Sequence, residues 1–187
     1  GALKRMPLDI AAGIFIAIII TGSASPALGL VILSVIFAIL PDADFFLHAL
    51  RRGNVFGKWA HEHRDLFHKP LLYIPLGVLV LLPFGGEFVQ VFVVASLFHF
   101  LHDTVGMGWG VKLFWPFSKR NYKFFGGEDK LFSSKFMTSW SDKELREMVA
   151  ARNDENWVKK FYFRPHPLGL FEYTVLLLAI LTLAFSR

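Results

Sequence analysis

The stretch FVQVFVVASLFHFLHD, residues 88–103, joins a long apolar run to a knot of ionisable side chains. Up to Phe98 its polar groups are Gln90 and Ser96; then His99, His102 and Asp103 arrive within five residues. The apolar part reads as a membrane helix. The polar end reads as something else, because acids and histidines in such helices are costly and mark functional sites.

Working outward, four more blocks of the same kind appear: Leu8 to Ile20, Pro26 to Leu40, Leu71 to Phe84 and Leu168 to Phe185. A bilayer core needs about 20 helical residues, with a range of about 17–25. With their mildly polar flanks the five blocks predict membrane helices near 7–22, 26–48, 67–84, 86–105 and 167–186. The expected fold is all-α: one integral membrane helical bundle of about five transmembrane helices over residues 1–187, with a mostly cytoplasmic 106–166 segment. A soluble bundle of unusually apolar helices is the competing reading. Lys4 and Arg5 ahead of the first run also fit a signal peptide, but a second apolar run so close behind favours a retained helix.

Composition agrees. Hydrophobic residues make up 54% and charged residues 19%, with a mean hydropathy of +0.46. That excludes intrinsic disorder, which needs low hydrophobicity and high charge. The absence of cysteine excludes a disulfide scaffold, a thiolate metal site and a Cys nucleophile.

The net charge is +5, and its distribution reports orientation. Cytoplasmic loops are rich in Lys and Arg. In the five-helix reading, 19 of the 20 basic residues fall on one face, which puts the N-terminus inside and the C-terminus outside. Membrane orientation thus accounts for the charge, and nucleic acid is not an expected partner. All five tryptophans (Trp59, Trp109, Trp115, Trp140, Trp157) fall on that face, as interfacial anchors would. Within 106–166, Ser141-Asp142-Lys143-Glu144 is a capping-box pattern. It predicts an interfacial helix near 142–160, with Leu145, Met148 and Val149 on one side.

Three polar clusters meet the cytoplasmic face in this topology. Asp42, Asp44 and His48 close the second span. His61, His63 and His68 lie before and at the start of the third. His99, His102 and Asp103 close the fourth. His99 and Asp103 are i, i+4, so they share a helical face and can hold one ion. Asp44 and His48 have the same spacing. His63 and His68 are five apart and fit a loop entering a helix, with Pro70 at an early helical position. Imidazoles and carboxylates without thiolate suit Zn²⁺, Mn²⁺ or Fe²⁺ better than Ca²⁺. The candidate ligands are Asp42, Asp44, His48, His63, His68, His99 and Asp103, enough for one ion or two. The bland readings are a hydrogen-bonded pair for His99 and Asp103, turn chemistry for Asp42 and Asp44, and a solvated histidine-rich link.

At these residues the chain resembles the prokaryotic inner-membrane metal-dependent hydrolase family, a membrane domain of unknown function. The motifs are Pro41-Asp42-Ala43-Asp44, His63-Arg64-Asp65-Leu66-Phe67-His68, His99-Phe100-Leu101-His102-Asp103 and Trp115-Pro116-Phe117. The match spans about residues 8–120. It departs in lacking an N-terminal histidine and in having Phe45 where a histidine often follows the second Asp. That family is distantly similar to zinc-dependent phospholipase C, so the resemblance implies phosphoester cleavage.

The expected protein is then a membrane-embedded metal-dependent hydrolase with zinc as the favoured ion. Membrane lipids are its surroundings, and a phospholipid or lipid phosphate at the cytoplasmic interface is its substrate. Metal-activated water is the expected nucleophile. Arg64 would clamp a phosphate, with Lys69 adding charge. His61 and His102 would donate a proton or support the ligands. Two alternatives stand beside it: divalent-metal transport or sensing, and a non-enzymatic membrane scaffold. Transport is disfavoured by the almost purely aliphatic outer halves of the helices.

Overall fold

A computed structural model of the protein describes residues 6–44, 50, 67–105, 109–125, 135–152 and 165–185. Among these residues it is mostly helical. The order is α1 (Met6–Thr21), α2 (Leu28–Ile39), α3 (Pro70–Leu81), α4 (Gly86–Thr104), β1 (Asn121–Phe124), β2 (Met137–Trp140), α5 (Asp142–Arg152) and α6 (Pro167–Phe185). Short 3-10 turns, Leu40–Asp42 and Leu82–Phe84, extend α2 and α3.

The apolar blocks become helices, and their punctuation is local chemistry. Gly22 takes a positive φ of 60° just past α1, the left-handed cap that glycine supplies most easily. Pro70 opens α3, where its missing N–H costs no helical bond. Gly85, with φ 117°, lets the chain turn from the Leu82–Phe84 coil into α4.

The chain divides into two compact units. One gathers residues 2–41, 76–98 and 155–187, and its described helices are largely apolar. Its core is Ala11, Ile14, Ala17, Val31 and Ala179, drawn from α1, α2 and α6. Small residues let α1 and α2 approach closely. A methyl on Gly13 would lie 2.6 Å from Val35 Cα, and Ser34 Oγ donates to the Gly13 carbonyl at 2.6 Å. Such small-residue contacts and cross-helix hydrogen bonds are how helices associate in lipid. Gly77 of α3 faces the Phe92 ring of α4, and Phe92 meets Phe37 edge to face at 5.4 Å. Asp9 and Glu172 are buried in this unit, each 1% exposed.

The other unit gathers residues 42–75 and 99–154. It holds the antiparallel β1–β2 pair, with Asn121 opposite Trp140 and Phe124 opposite Met137. This short hairpin is an addition to the mostly helical fold. β1 alternates polar and aromatic residues over only four positions, too short a run to stand out by periodicity. The capping box forms as read: Ser141 N–H donates to Glu144 Oε2 at 2.6 Å, and Glu144 N–H to Ser141 Oγ at 3.3 Å. Trp140, Leu145, Met148 and Val149 make a small buried core with Trp109 packed against it. Trp140 therefore packs into this small core, with Trp109 partly buried against it. Trp59 and Trp157, and the predicted helix beyond Arg152, lie outside the described residues.

One described helix, α6, is long and apolar enough to cross a membrane by length and composition. α1, with 16 residues, rises about 24 Å at 1.5 Å per residue, short of a hydrocarbon core of about 30 Å. α2 and α3 with their 3-10 turns are also apolar but shorter. α4 has 19 residues, but its last turns carry His99, His102 and Asp103.

Candidate metal centre

Three short pieces of backbone build the site. Pro41 lies in the 3-10 turn that closes α2, and Asp42 ends that turn. His68 stands two residues before α3, in the loop entering it, as its spacing predicts. His99 and Asp103 lie one turn apart near the end of α4.

Their donor atoms converge. His68 Nε2 lies 3.4 Å from Asp42 Oδ1 and 3.4 Å from Asp103 Oδ2. His99 Nε2 lies 3.8 Å from Asp42 Oδ1 and 3.9 Å from Asp103 Oδ2. The four atoms form a closed ring in which oxygen and nitrogen alternate, and all lie within 4.8 Å of one another. Asp42 is 4% exposed, Asp103 3%, His99 1% and His68 0%, so bulk water does not solvate the ring. Asp42 Oδ1 makes no hydrogen bond among the described residues.

Asp44 takes a different place. Its Oδ2 accepts from His68 Nδ1 at 3.0 Å, on the opposite edge of the imidazole from the ring of donors. That bond puts a proton on Nδ1 and aims Nε2 at Asp42 and Asp103. His102 sits behind Asp103: its Nε2 is 3.9 Å from Asp103 Oδ1, an ion-pair separation too long for a hydrogen bond. Its ring lies edge to face with His99 at 5.2 Å. Aromatic side chains wall the centre. Phe100 packs against both His68, at 6.2 Å, and His99, at 5.8 Å, and Tyr73 backs Phe100 at 5.6 Å.

The donor set fits a divalent ion. A zinc ion with bonds of about 2.0–2.2 Å to nitrogen and oxygen needs tetrahedral donors about 3.3–3.6 Å apart. The four edges of the ring, 3.4 to 3.9 Å, are close to that span. Charge agrees with geometry. Three buried carboxylates cluster around two imidazoles, and buried charge needs a partner of opposite sign.

Of the residues read from the sequence as ligands, Asp42, His68, His99 and Asp103 come together, and Asp44 stands one atom further out. His48, His61, His63 and Arg64 lie outside the described residues. Lys69 places its ammonium 4.9 Å from the centroid of the Trp115 ring, a cation–π contact between two of the motifs. Asp9 is the buried acid that sequence reading passed over; an acid opening an otherwise aliphatic run is the signal that marks it.

Residues 9–186 match the family described as YdjM inner membrane protein. Neither the curated proteins nor the solved structures contain a match.

Proposed function

The chain belongs to the YdjM inner membrane protein family, and from that premise and the four-donor ring we propose that it is a multi-pass, metal-dependent hydrolase of phosphoesters. The ring of alternating oxygen and nitrogen donors carries this reading. Asp42, His68, His99 and Asp103 would hold the ion, zinc by preference. When bound, such an ion lowers the pKa of water toward neutrality and polarises a phosphoryl oxygen.

The remaining work belongs to the chain's own groups. Asp44 holds the His68 ring in the tautomer that presents Nε2. His102, beside the second oxygen of Asp103, steadies that carboxylate. Phe100 and Tyr73 exclude water, which strengthens every charge interaction inside. Lys69, held over Trp115, offers a positive charge one residue from His68 and supports an anionic substrate. A phospholipid or lipid phosphate at the cytoplasmic interface is the substrate class that depth and charge favour.

Exposed apolar side chains support the multi-pass arrangement. Leu76, Leu79 and Val80 on α3, Ile32 and Ile36 on α2, and Leu97 on α4 are all exposed, as is most of α6. Extensive apolar exposure on several helices is what a lipid-facing bundle presents. The basic residues orient it with the N-terminus inside.

The test is metal analysis of protein purified without chelators, joined to a phosphodiester and lipid-phosphate hydrolysis screen. Bound zinc, and an activity lost in Asp42→Ala and His99→Ala, is the expected result. Metal-free protein, or variants with intact activity, overturns the proposal. Bound metal with uptake into vesicles and no hydrolysis assigns the site to transport.

A further inference from the structure

The β1–β2 hairpin is turned against the usual rule for a strand in water. One face carries Asn121, Lys123 and Trp140, and it points inward: Asn121 and Lys123 are each 5% exposed. Asn121 Nδ2 donates there to Asp142 Oδ1 at 3.3 Å. The other face carries Tyr122, Phe124, Ser139 and Met137; Met137 is exposed and the other three are half-buried. In antiparallel strands directly opposite residues share a face, so this inversion follows from the register.

The outer face is extended by its neighbours. Phe114 packs edge to face on Tyr122 at 4.8 Å, and Phe136 meets Phe124 at 5.5 Å and Phe125 at 5.2 Å. Beyond them Phe117 is 88% exposed and Phe136 65%. Lys119, Arg120 and Lys135 are exposed along the same short stretches. Asp142 takes Lys112 at 3.2 Å, and Glu144 takes Arg120 at 3.3 Å and caps α5.

We propose that this aromatic face with its basic rim docks on an anionic lipid leaflet. Aromatic rings settle at the headgroup level, and Lys and Arg beside them are drawn to anionic lipid. An inner membrane protein has such a surface within reach. The hairpin thus acts as an interfacial anchor for the unit that carries the candidate metal centre. This inference does not depend on the metal or on hydrolysis.

The chain contains no cysteine, so single labels are clean. Phe117→Cys and Phe136→Cys each take a nitroxide, and Glu147→Cys on the exposed side of α5 serves as the aqueous control. The full chain is placed in nanodiscs of phosphatidylglycerol or of phosphatidylcholine, and relaxation by oxygen is compared with relaxation by a water-soluble nickel chelate. In phosphatidylglycerol, the labels at 117 and 136 should relax chiefly by oxygen, and the label at 147 by nickel. In phosphatidylcholine the first two should shift toward nickel. Lys119→Glu with Lys135→Glu should produce the same shift in phosphatidylglycerol. Labels at 117 and 136 as nickel-accessible as the control overturn the proposal. Shielding that is indifferent to lipid charge, or that depends on the number of chains per disc, overturns it as well.

Discussion

Asp44 and Asp42 are two residues apart and both buried, yet their substitution should give different results. His68 Nδ1 donates to Asp44 at 3.0 Å, and Nε2 of the same ring lies 3.4 Å from Asp42 and from Asp103. Asp44→Asn keeps an acceptor oxygen at that reach but removes the charge that makes the imidazole a better donor. Loss of such a supporting partner typically weakens metal binding by about 10–100-fold. That is about 1.4–2.7 kcal/mol at about 1.4 per tenfold. Asp42→Asn replaces an anionic donor of the ring itself with a neutral amide, and His99→Ala removes a donor atom outright.

Equilibrium dialysis against zinc separates the cases. Asp44→Asn should keep the wild-type stoichiometry with a Kd raised by that factor. Asp42→Asn and His99→Ala should lose the ion held by the ring. Thermal melting gives a second reading. At zinc 100 times the wild-type Kd, binding stabilises the native state by about 2.7 kcal/mol, and a tenfold weaker site retains about 1.4. Melting in chelator checks that each variant folds. An unchanged Kd in Asp44→Asn refutes the support role. Loss of zinc as complete as in Asp42→Asn refutes it too, and makes Asp44 a direct ligand.

The other predictions concern packing and capping. Gly13→Ala puts a methyl 2.6 Å from Val35 Cα, so overpacking should lower stability by about 1–3 kcal/mol in detergent melts. Ser34→Ala removes the bond to the Gly13 carbonyl and should cost about 0.6–2 kcal/mol in the same assay. Gly77→Ala drives a methyl into the Phe92 ring, and its melting temperature should fall. Glu144 accepts the Ser141 backbone N–H and side-chain bond, with Arg120 nearby, and so titrates below its ordinary value of 4.5. A lowered native pKa gives stability that is complete above about 4.5 and lost as pH falls through the lowered value. Protection of the Ser141 amide from exchange should therefore drop on acidification, and Glu144→Gln should flatten that dependence. Identical pH profiles in the two proteins would argue against the cap.

Much of this was legible in residue spacing. His99 and Asp103 at i, i+4 do share a face, and their donor atoms do converge. The five apolar blocks are all helical, because hydrophobic runs bounded by Gly22, Pro70 and Gly85 leave the backbone little else to do. Asp44 is where spacing was under-used. Asp42 and Asp44 differ by two positions, about 200° around a helix, so they do not face the same way. The hairpin was not legible, because along β1 the outward side is aromatic and the inward side polar, the reverse of the pattern that periodicity seeks. Trp140 shows the same limit: tryptophan marks an interface on average, but here Leu145, Met148 and Val149 give it a core to enter.

The ring also explains why the three clusters had to be read together. α2 supplies one carboxylate, the loop before α3 one imidazole, and α4 one of each. Around the ring every neighbour is of the other chemical kind, so like donors sit on the diagonals. Remove the imidazole of His68, and Asp42, Asp44 and Asp103 remain as buried acids with His99 alone near two of them. Uncompensated buried charge is among the most destabilising arrangements a fold can hold. Holding the acids near one another without water therefore requires cationic compensation, from protons on the imidazoles or from a metal. Protons and metal compete for the same nitrogens, because a ligating imidazole must be neutral. Zinc binding should accordingly release protons and weaken on acidification, a coupling that calorimetry in buffers of different ionisation enthalpy measures directly. Zinc uptake without proton release would mean that the imidazoles are already neutral before the ion arrives, leaving the acids to be compensated in some other way.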